Sequence, residues 1–331
     1  MRMMLRITRG LMMPIMALAA ATLTVAPAIQ AAGWPERSIT FVVPFPAGGS
    51  SDTVARTIGQ KVGERLGQTV VVENRSGATG AIGATSVKQA AADGYTILVA
   101  SIGVYATNPF LQPKLSYDPL KDFDLISVAV RAPNVLVAKP TFPANTVADL
   151  IALLKKTPDK ISFANSGAGS SDHLTAALFL QRTGTGGLHV PYRGGAPAIN
   201  DLIGGHVDVS FQNINAVISQ IRGGQLKALA ITSTARSPLL PTVPTLKEAG
   251  VDGIDVSSWQ AVAGPKGLPA DVKSRLNAEI VAALNAPDVR PRMEEMGFEI
   301  VASTPEQFQA FLTEELARWK QVIETGKITL E

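Results

Sequence analysis

The sequence predicts an α/β protein of two lobes, each a mostly parallel sheet flanked by helices. Short apolar runs of strand character alternate with runs of helical period. That alternation occurs twice, once from Ile39 to Ala100 and again from Lys160 to Thr232. A short pattern marks the same place in both series. Ala47-Gly48-Gly49-Ser50-Ser51-Asp52 and Gly167-Ala168-Gly169-Ser170-Ser171-Asp172 each follow a strand and open a helix.

In the first series the strand Ile39–Val43 leads through Pro44-Phe45-Pro46 into the first glycine loop. The next helix is expected from Asp52 to about Leu66, on the spacing of Val54, Ile58, Val62 and Leu66. The strand Thr69–Val72, a helix to about Ala91 and the strand Tyr95–Ala100 complete it, ending at Ser101. After a turn-rich loop over 117–123, the apolar runs Leu125–Val130 and Asn134–Ala138 form a passage into the second lobe. The second series reads as a helix over 146–156, the strand Lys160–Ala164, the second glycine loop and a helix from Asp172 to about Gln181. The strand His189–Tyr192, a helix over 196–203, the strand Val207–Phe211, a helix over 214–221 and the strand Leu226–Thr232 follow. Beyond a proline-punctuated link at 238–244, the run 257–263 reads as a strand returning to the first lobe. Two helical stripes close the chain. One is Val272, Leu276, Ile280 and Leu284; the other is Phe308, Phe311, Leu312, Leu316, Trp319 and Ile323, opened by Thr304-Pro305-Glu306. Both are core-facing surfaces. The expected division is 1–32 as a removed signal, 33–130 plus 257–331 as lobe 1, and 131–256 as lobe 2.

Composition excludes several classes. Of 331 residues 46% are apolar, ample for packed cores, and only 17% are charged, too few for a disordered or nucleic-acid-binding chain. The net charge of +3 comes from Arg2, Arg6 and Arg9; the rest of the chain carries 27 basic and 27 acidic residues. A basic face for nucleic acid is therefore unsupported. The basic start, the apolar stretch from Leu11 to Val25 and the small residues Ala28 to Ala32 read as an export signal cleaved between those last two positions. With no cysteine there is no disulfide, no thiolate metal site and no lipid attachment point. The expected location is the periplasm, soluble and not lipid-anchored.

Each glycine loop places backbone N–H groups and the positive end of a helix dipole at the carboxyl end of a strand, where α/β sheets collect ligands. Such a site suits an anion without a buried cation. A single loop of this kind is as readily a tight turn; the duplication, with hydroxyls before each helix, favours two halves of one anion site. Neither loop has the glycine spacing of a dinucleotide fingerprint or the lysine of a phosphate-binding loop. The enzyme alternative is a secreted serine hydrolase using Ser50, Ser51, Ser170 or Ser171. No Gly-x-Ser-x-Gly elbow occurs at these loops, and His173, His189 and His206 are the only histidines. Without cysteine or a shared short spacing they make a poor metal site, so no metal and no cofactor is expected.

Pro44-Phe45-Pro46-Ala47-Gly48-Gly49-Ser50-Ser51-Asp52, Glu73-Asn74-Arg75-x-Gly77-Ala78-x-Gly80 and Asp93-Gly94-Tyr95-Thr96 carry a specific resemblance. So do Ser166-Gly167-x-Gly169-Ser170-x-x-His173-Leu174, Pro191-Tyr192-Arg193-Gly194, Gly205-x-Val207-Asp208, Ala230-Ile231-Thr232 and Val243-Pro244-Thr245. From about Trp34 to the C-terminus the chain resembles the Bug (TctC-like) receptors of tripartite tricarboxylate transporters. The resemblance implies a two-lobe Venus-flytrap fold with two crossover segments, closing on a small mono- or dicarboxylate, aromatic ones included. It implies a first-lobe grip of Phe45, Ala47, Gly48, Gly49 and Ser50 and a second-lobe grip of Ser166, Gly167, Ala168, Gly169 and Ser170. Ser101, Asn108 and Asn213 are expected to read the far end of the ligand. Asp208 is equally a site residue or a strand-edge support, and Trp259 is read as packing. A monomer that hands its solute to membrane transporter subunits is implied, or one that serves a sensor kinase. Gly169→Val is expected to block backbone approach to the ligand and leave the fold intact.

Overall fold

In the computed structural model the described residues are 33–326, 328 and 329, and the compact body begins at Pro35. The export signal expected over 1–32 lies outside the described residues.

The first series gives β1 (Ile39–Val43), α1 (Ser50–Leu66), β2 (Val70–Asn74), α2 (Ala81–Lys88) and β3 (Thr96–Ser101). β1 pairs in parallel with both β2 and β3. Val54, Ile58 and Val62 bury one face of α1, and Gly67 ends it in the left-handed conformation. The helix starts at Ser50, two residues before the expected Asp52. Residues 103–107 then form a wide helical turn running into α3 (Asn108–Leu111), a segment with no periodic signal in the sequence.

The two apolar runs of the expected passage are one strand, β4 (Phe123–Ala138). Pro133 lies within it and keeps the chain extended where a helix would be blocked. The second series gives α4 (Val147–Lys156), β5 (Ser162–Asn165), α5 (Ser171–Thr183), β6 (Leu188–Pro191), α6 (Gly195–Gly204), β7 (Val209–Asn213), α7 (Ile214–Arg222) and β8 (Lys227–Ile231). β9 (Ser257–Pro265), α8 (Ala270–Leu284), α9 (Arg290–Glu295), β10 (Glu299–Ile300) and α10 (Pro305–Gly326) complete the chain.

The strand order is β2-β1-β3-β9-β4-β7-β5-β6, with β8 and β10 also on β4. β4 is the shared strand. Its first part, Phe123–Pro133, pairs with β9, and its second part, Asn134–Ala138, pairs with β7 and β8. The parallel pairs are β1–β2, β1–β3, β5–β6 and β5–β7; every pair involving β4 or β9 is antiparallel. Each sheet is thus a parallel series extended by crossing strands of opposite direction. Asp124 pins this crossing: its carboxylate accepts the N–H groups of Gly267 (2.8 Å) and Leu268 (2.9 Å) just beyond β9.

Behind β9 lies an aromatic cluster. Tyr105 stacks on Trp259 at 5.8 Å and Phe308 meets both edge-on. The buried Glu315 carboxylate accepts the indole N–H groups of Trp259 (2.9 Å) and Trp319 (3.0 Å). Trp259 is a packing residue with its polar edge satisfied.

Candidate functional site

The carboxyl ends of β1, β3, β5 and β7 open onto one cleft of about 400 Å³. Phe45, Ala47, Gly48, Gly49, Ser50, Ser101, Ser166, Ser170 and Asn213 line it. The sequence-derived residues Gly167, Ala168, Gly169 and Asn108 do not. Asn108 is fully buried, and its amide is engaged by the Thr79 carbonyl and the Tyr117 hydroxyl. It braces the turn that supports Phe45 and does not face the cleft.

The repeated Ser-Ser-Asp has a common structural part. In both copies the aspartate folds back on its own loop. Asp52 accepts the Gly48 N–H (2.9 Å), Arg56 and Asn74, and Asn74 also holds the Phe45 carbonyl. Asp172 accepts the N–H and hydroxyl of Ser166 and the Gln212 amide (3.2 Å). Burial works to raise the Asp52 carboxyl, but the bonds from Arg56, Gly48 and Asn74 outweigh it and hold it low. At Asp172 burial wins and the carboxyl is pushed up, against the bonds from Ser166 and Ser170.

Beyond that aspartate the loops differ. α1 is preceded by Gly49 with no side-chain cap, so the first-turn N–H groups at Ser50 and Ser51 lack a capping acceptor beside the cleft. α5 starts one residue later relative to the repeat, and Ser170 caps it by accepting the His173 N–H. The second loop also satisfies four of its own donors. Ser166 N–H goes to Asp172, Gly167 N–H to Asn165 (3.1 Å), Gly169 N–H to His173 Nδ1 (3.1 Å) and Ser170 N–H to the Gly167 carbonyl (3.1 Å). The start of α1 is therefore left uncapped, whereas four N–H groups of the second loop are engaged within the protein.

Gly169 makes this concrete. Its φ is +79°, and a Cβ there meets Leu111 Cδ1 at 2.8 Å and Thr107 Oγ1 at 3.2 Å. Thr107 also donates to its carbonyl at 2.9 Å. A side chain at 169 strains the backbone and drives into α3, so the expected variant perturbs the fold, contrary to the ligand-approach account.

The two sheets meet directly at Ser50. Its hydroxyl accepts from Asn215 (2.9 Å) and donates to Asn213 (3.4 Å), while Asn213 donates in turn to Asn134 and Ser171. Asp208 accepts the Ser162 N–H and hydroxyl at the start of β5, a strand-edge support. The Ser50 hydroxyl is bonded to Asn213 and Asn215, and the Ser170 hydroxyl to the Gly167 carbonyl and the His173 backbone N–H. His173 and His189 pack edge to face at 4.8 Å. Burial, with His189 beside it, pushes His173 down to about 4. Among the described residues no cluster of three or more histidines, aspartates or glutamates is placed to hold a metal.

Sequence reading missed Gln260, Ser258, Gln212, Asn215 and Arg193, which also line the cleft. For Gln260 and Ser258 a signal existed: polar residues within the otherwise apolar return strand. Gln260 lies opposite Ser101 in the β3–β9 pairing, and its buried amide oxygen has no partner.

Two sheets joined by crossing strands around a polar cleft at strand carboxyl ends define a periplasmic-binding-protein fold. The family described as "Tripartite tricarboxylate transporter family receptor" matches residues 54–328, and the chain belongs to it. That is a family of solute-binding receptors. The chain is 40% identical to the protein BugT of Bordetella pertussis over 308 residues, 92% of this chain and 94% of the relative. Among solved structures, an R. palustris protein with adipate aligns with a TM-score of 0.87 and 37% identity, over 90% of this chain and 99% of that one. MatC from Rhodopseudomonas palustris with bound malate aligns at 0.83 and 34% identity, over 88% and 100%. Among the described residues no helix is long and apolar enough to cross a membrane.

Proposed function

We propose that this chain is a periplasmic receptor that binds a small carboxylate between two lobes and delivers it to the membrane subunits of a tripartite tricarboxylate-type transporter. One observation carries the reading. The uncapped start of α1 presents first-turn N–H groups to a cleft lined by serines, asparagines and glutamines, and no cation lies in that loop to compete. A carboxylate placed there gains roughly 0.3–2 kcal/mol from the helix end alone, more with each amide bond. The relatives solved with adipate and malate support the ligand class.

The lobes are 33–130 plus 257–331 and 131–256, hinged where β4 changes partners between Pro133 and Asn134. A carboxylate touching Ser50 from one side and the Asn213–Asn215 corner from the other favours the closed form by its differential affinity. Phe45, Ala47, Gly48, Gly49 and Ser50 make the first wall, with Ser101 below; Ser166, Ser170 and Asn213 make the second. The protein performs no chemistry on its ligand and is exported through its N-terminal signal as a monomer.

Thermal unfolding against a panel of millimolar carboxylates tests this. A native-state ligand raises the unfolding temperature in a saturable way. At least one acid is expected to do so without being turned over. No shift with any acid, or ester hydrolysis abolished by Ser50→Ala, would overturn the receptor reading.

A further inference from the structure

The Ser166, Gly167, Gly169 and Ser170 N–H groups of the second glycine loop are bonded within the protein, which raises the question of what meets the far end of a ligand. Among the residues lining the cleft the only cationic side chain is Arg193, and the only acid is Asp172. Asp172 is already committed to Ser166 and Gln212. Arg193 is exposed, and among the described residues its guanidinium has neither a hydrogen bond nor an ion pair.

Its backbone is held in place. Tyr192 N–H donates to the Asn165 carbonyl (2.9 Å), Gly194 N–H to the Ser166 carbonyl (3.0 Å), and the Tyr192 hydroxyl to Asp201 in α6 (2.6 Å). So the Tyr192-Arg193-Gly194 turn lies against the second loop, and α6 begins immediately after it. Gly194 precedes α6 without a side-chain cap, and Gly195 and Ala196 also line the cleft. A Cβ on Gly195 would come within 3.3 Å of Ser166 Oγ and 3.2 Å of Gln212 Oε1, so the helix start sits directly over the cleft wall. The floor adds Gln260, only 1% exposed, whose amide oxygen has no partner. That oxygen is an acceptor, so it calls for a donor on the guest and does not itself meet a carboxylate.

We propose that Arg193, with the uncapped first turn of α6, is the subsite for the second carboxylate of a dicarboxylate, and that this side chain sets the preference for diacids over monoacids. The inference rests on the carboxylate-receptor reading above and goes beyond it by assigning the far end. The two poles have different chemistry. The α1 end is neutral and takes one carboxylate through backbone amides. The α6 end carries a guanidinium that a monoacid meets with a methyl group, stripping water from the charge without replacing it. A diacid replaces that water with charge-assisted hydrogen bonds.

The test is titration calorimetry at low salt with matched pairs: succinate and butyrate, glutarate and pentanoate, adipate and hexanoate. Wild type is expected to bind its best diacid about 10- to 100-fold more tightly than the matched monoacid. In Arg193→Gln the preference collapses to within about 3-fold, diacid affinity falling and monoacid affinity staying level or rising as the desolvated charge is removed, and Arg193→Lys restores part of the preference. Because Arg193 is exposed and unpartnered, the Gln variant keeps its unfolding temperature. A preference that survives Arg193→Gln, or monoacids binding as tightly as diacids in wild type, overturns the assignment but leaves the receptor reading standing. No saturable binding by any of the six acids overturns the assignment, and the receptor reading falls with it when the wider carboxylate panel also leaves the unfolding temperature unmoved.

Discussion

Replacing His173 by Gln is expected to flatten the loss of stability on the acid side of neutrality. His173 is buried, and its Nδ1 accepts the Gly169 N–H at 3.1 Å, a bond that needs the neutral ring. Burial first, then the neighbouring His189, pushes its pKa down to about 4 from an ordinary 6.5. As pH falls the unfolded chain therefore takes up its proton before the folded one. Stability from this group is complete above pH 6.5 and drains away between 6.5 and about 4. At roughly 1.4 kcal/mol per unit, that gap is worth about 3 kcal/mol, of which about 2 to 3 kcal/mol is gone by pH 4.5. His189 is pushed down by burial as well and adds in the same direction. The assay is urea unfolding of wild type and His173→Gln at pH 7.5, 6.0 and 4.5. Subtracting the two profiles cancels the carboxylates that titrate in both. Wild type is expected to lose about 2 kcal/mol more than the variant between pH 7.5 and 4.5. Parallel profiles would refute the argument, because they mean the imidazole takes up its proton in the folded protein as easily as in the unfolded chain.

Three further outcomes follow from the same contacts. Gly169→Val is expected to lower stability by about 2 to 4 kcal/mol, from its positive φ and the collision with Leu111; a variant of native stability that fails to bind carboxylates would restore the ligand-approach account. Asp124→Asn removes the acceptor that ties the start of β4 to Gly267 and Leu268. A loss of about 1 to 3 kcal/mol is expected in thermal unfolding, and an unchanged midpoint would mean that this pin is dispensable. Ser50→Ala deletes the hydroxyl bridging to Asn213 and Asn215. Carboxylate affinity is expected to fall about 5-fold with the fold intact, measured by calorimetry, and unaltered affinity would place the ligand away from this corner.

Much of the fold was legible because local signals and burial agree. Val54, Ile58 and Val62 announce a helix at period 3.6 and are the buried face of α1. Ile39 to Val43 is a continuous apolar run and becomes an interior parallel strand. The segment 102–111 was opaque: Ile102, Val104, Tyr105 and Ala106 are all buried, so no polar face betrays the helical turn. β4 looked like two runs because Arg131 and Pro133 interrupt the apolar pattern. Arg131 is satisfied at the surface by Glu299 of β10, a partner 168 positions away.

The sequence by itself determined the two α/β series, the repeated glycine loop at the strand ends and the near-neutral charge after residue 32, because each depends on neighbours along the chain. Only the tertiary structure decided that the two copies of the repeat are unlike. Whether a loop amide is free depends on acceptors brought from elsewhere, and Asn165, Asp172 and His173 close the second loop while the start of α1 stays uncapped. The same holds for the far end of the cleft. Arg193 follows β6, Gln212 and Asn213 end β7 and Gln260 lies in β9, and the strand order β9-β4-β7-β5-β6 brings them to one cleft. Hydrogen-bond satisfaction is a property of the folded whole, so it cannot be read along the chain.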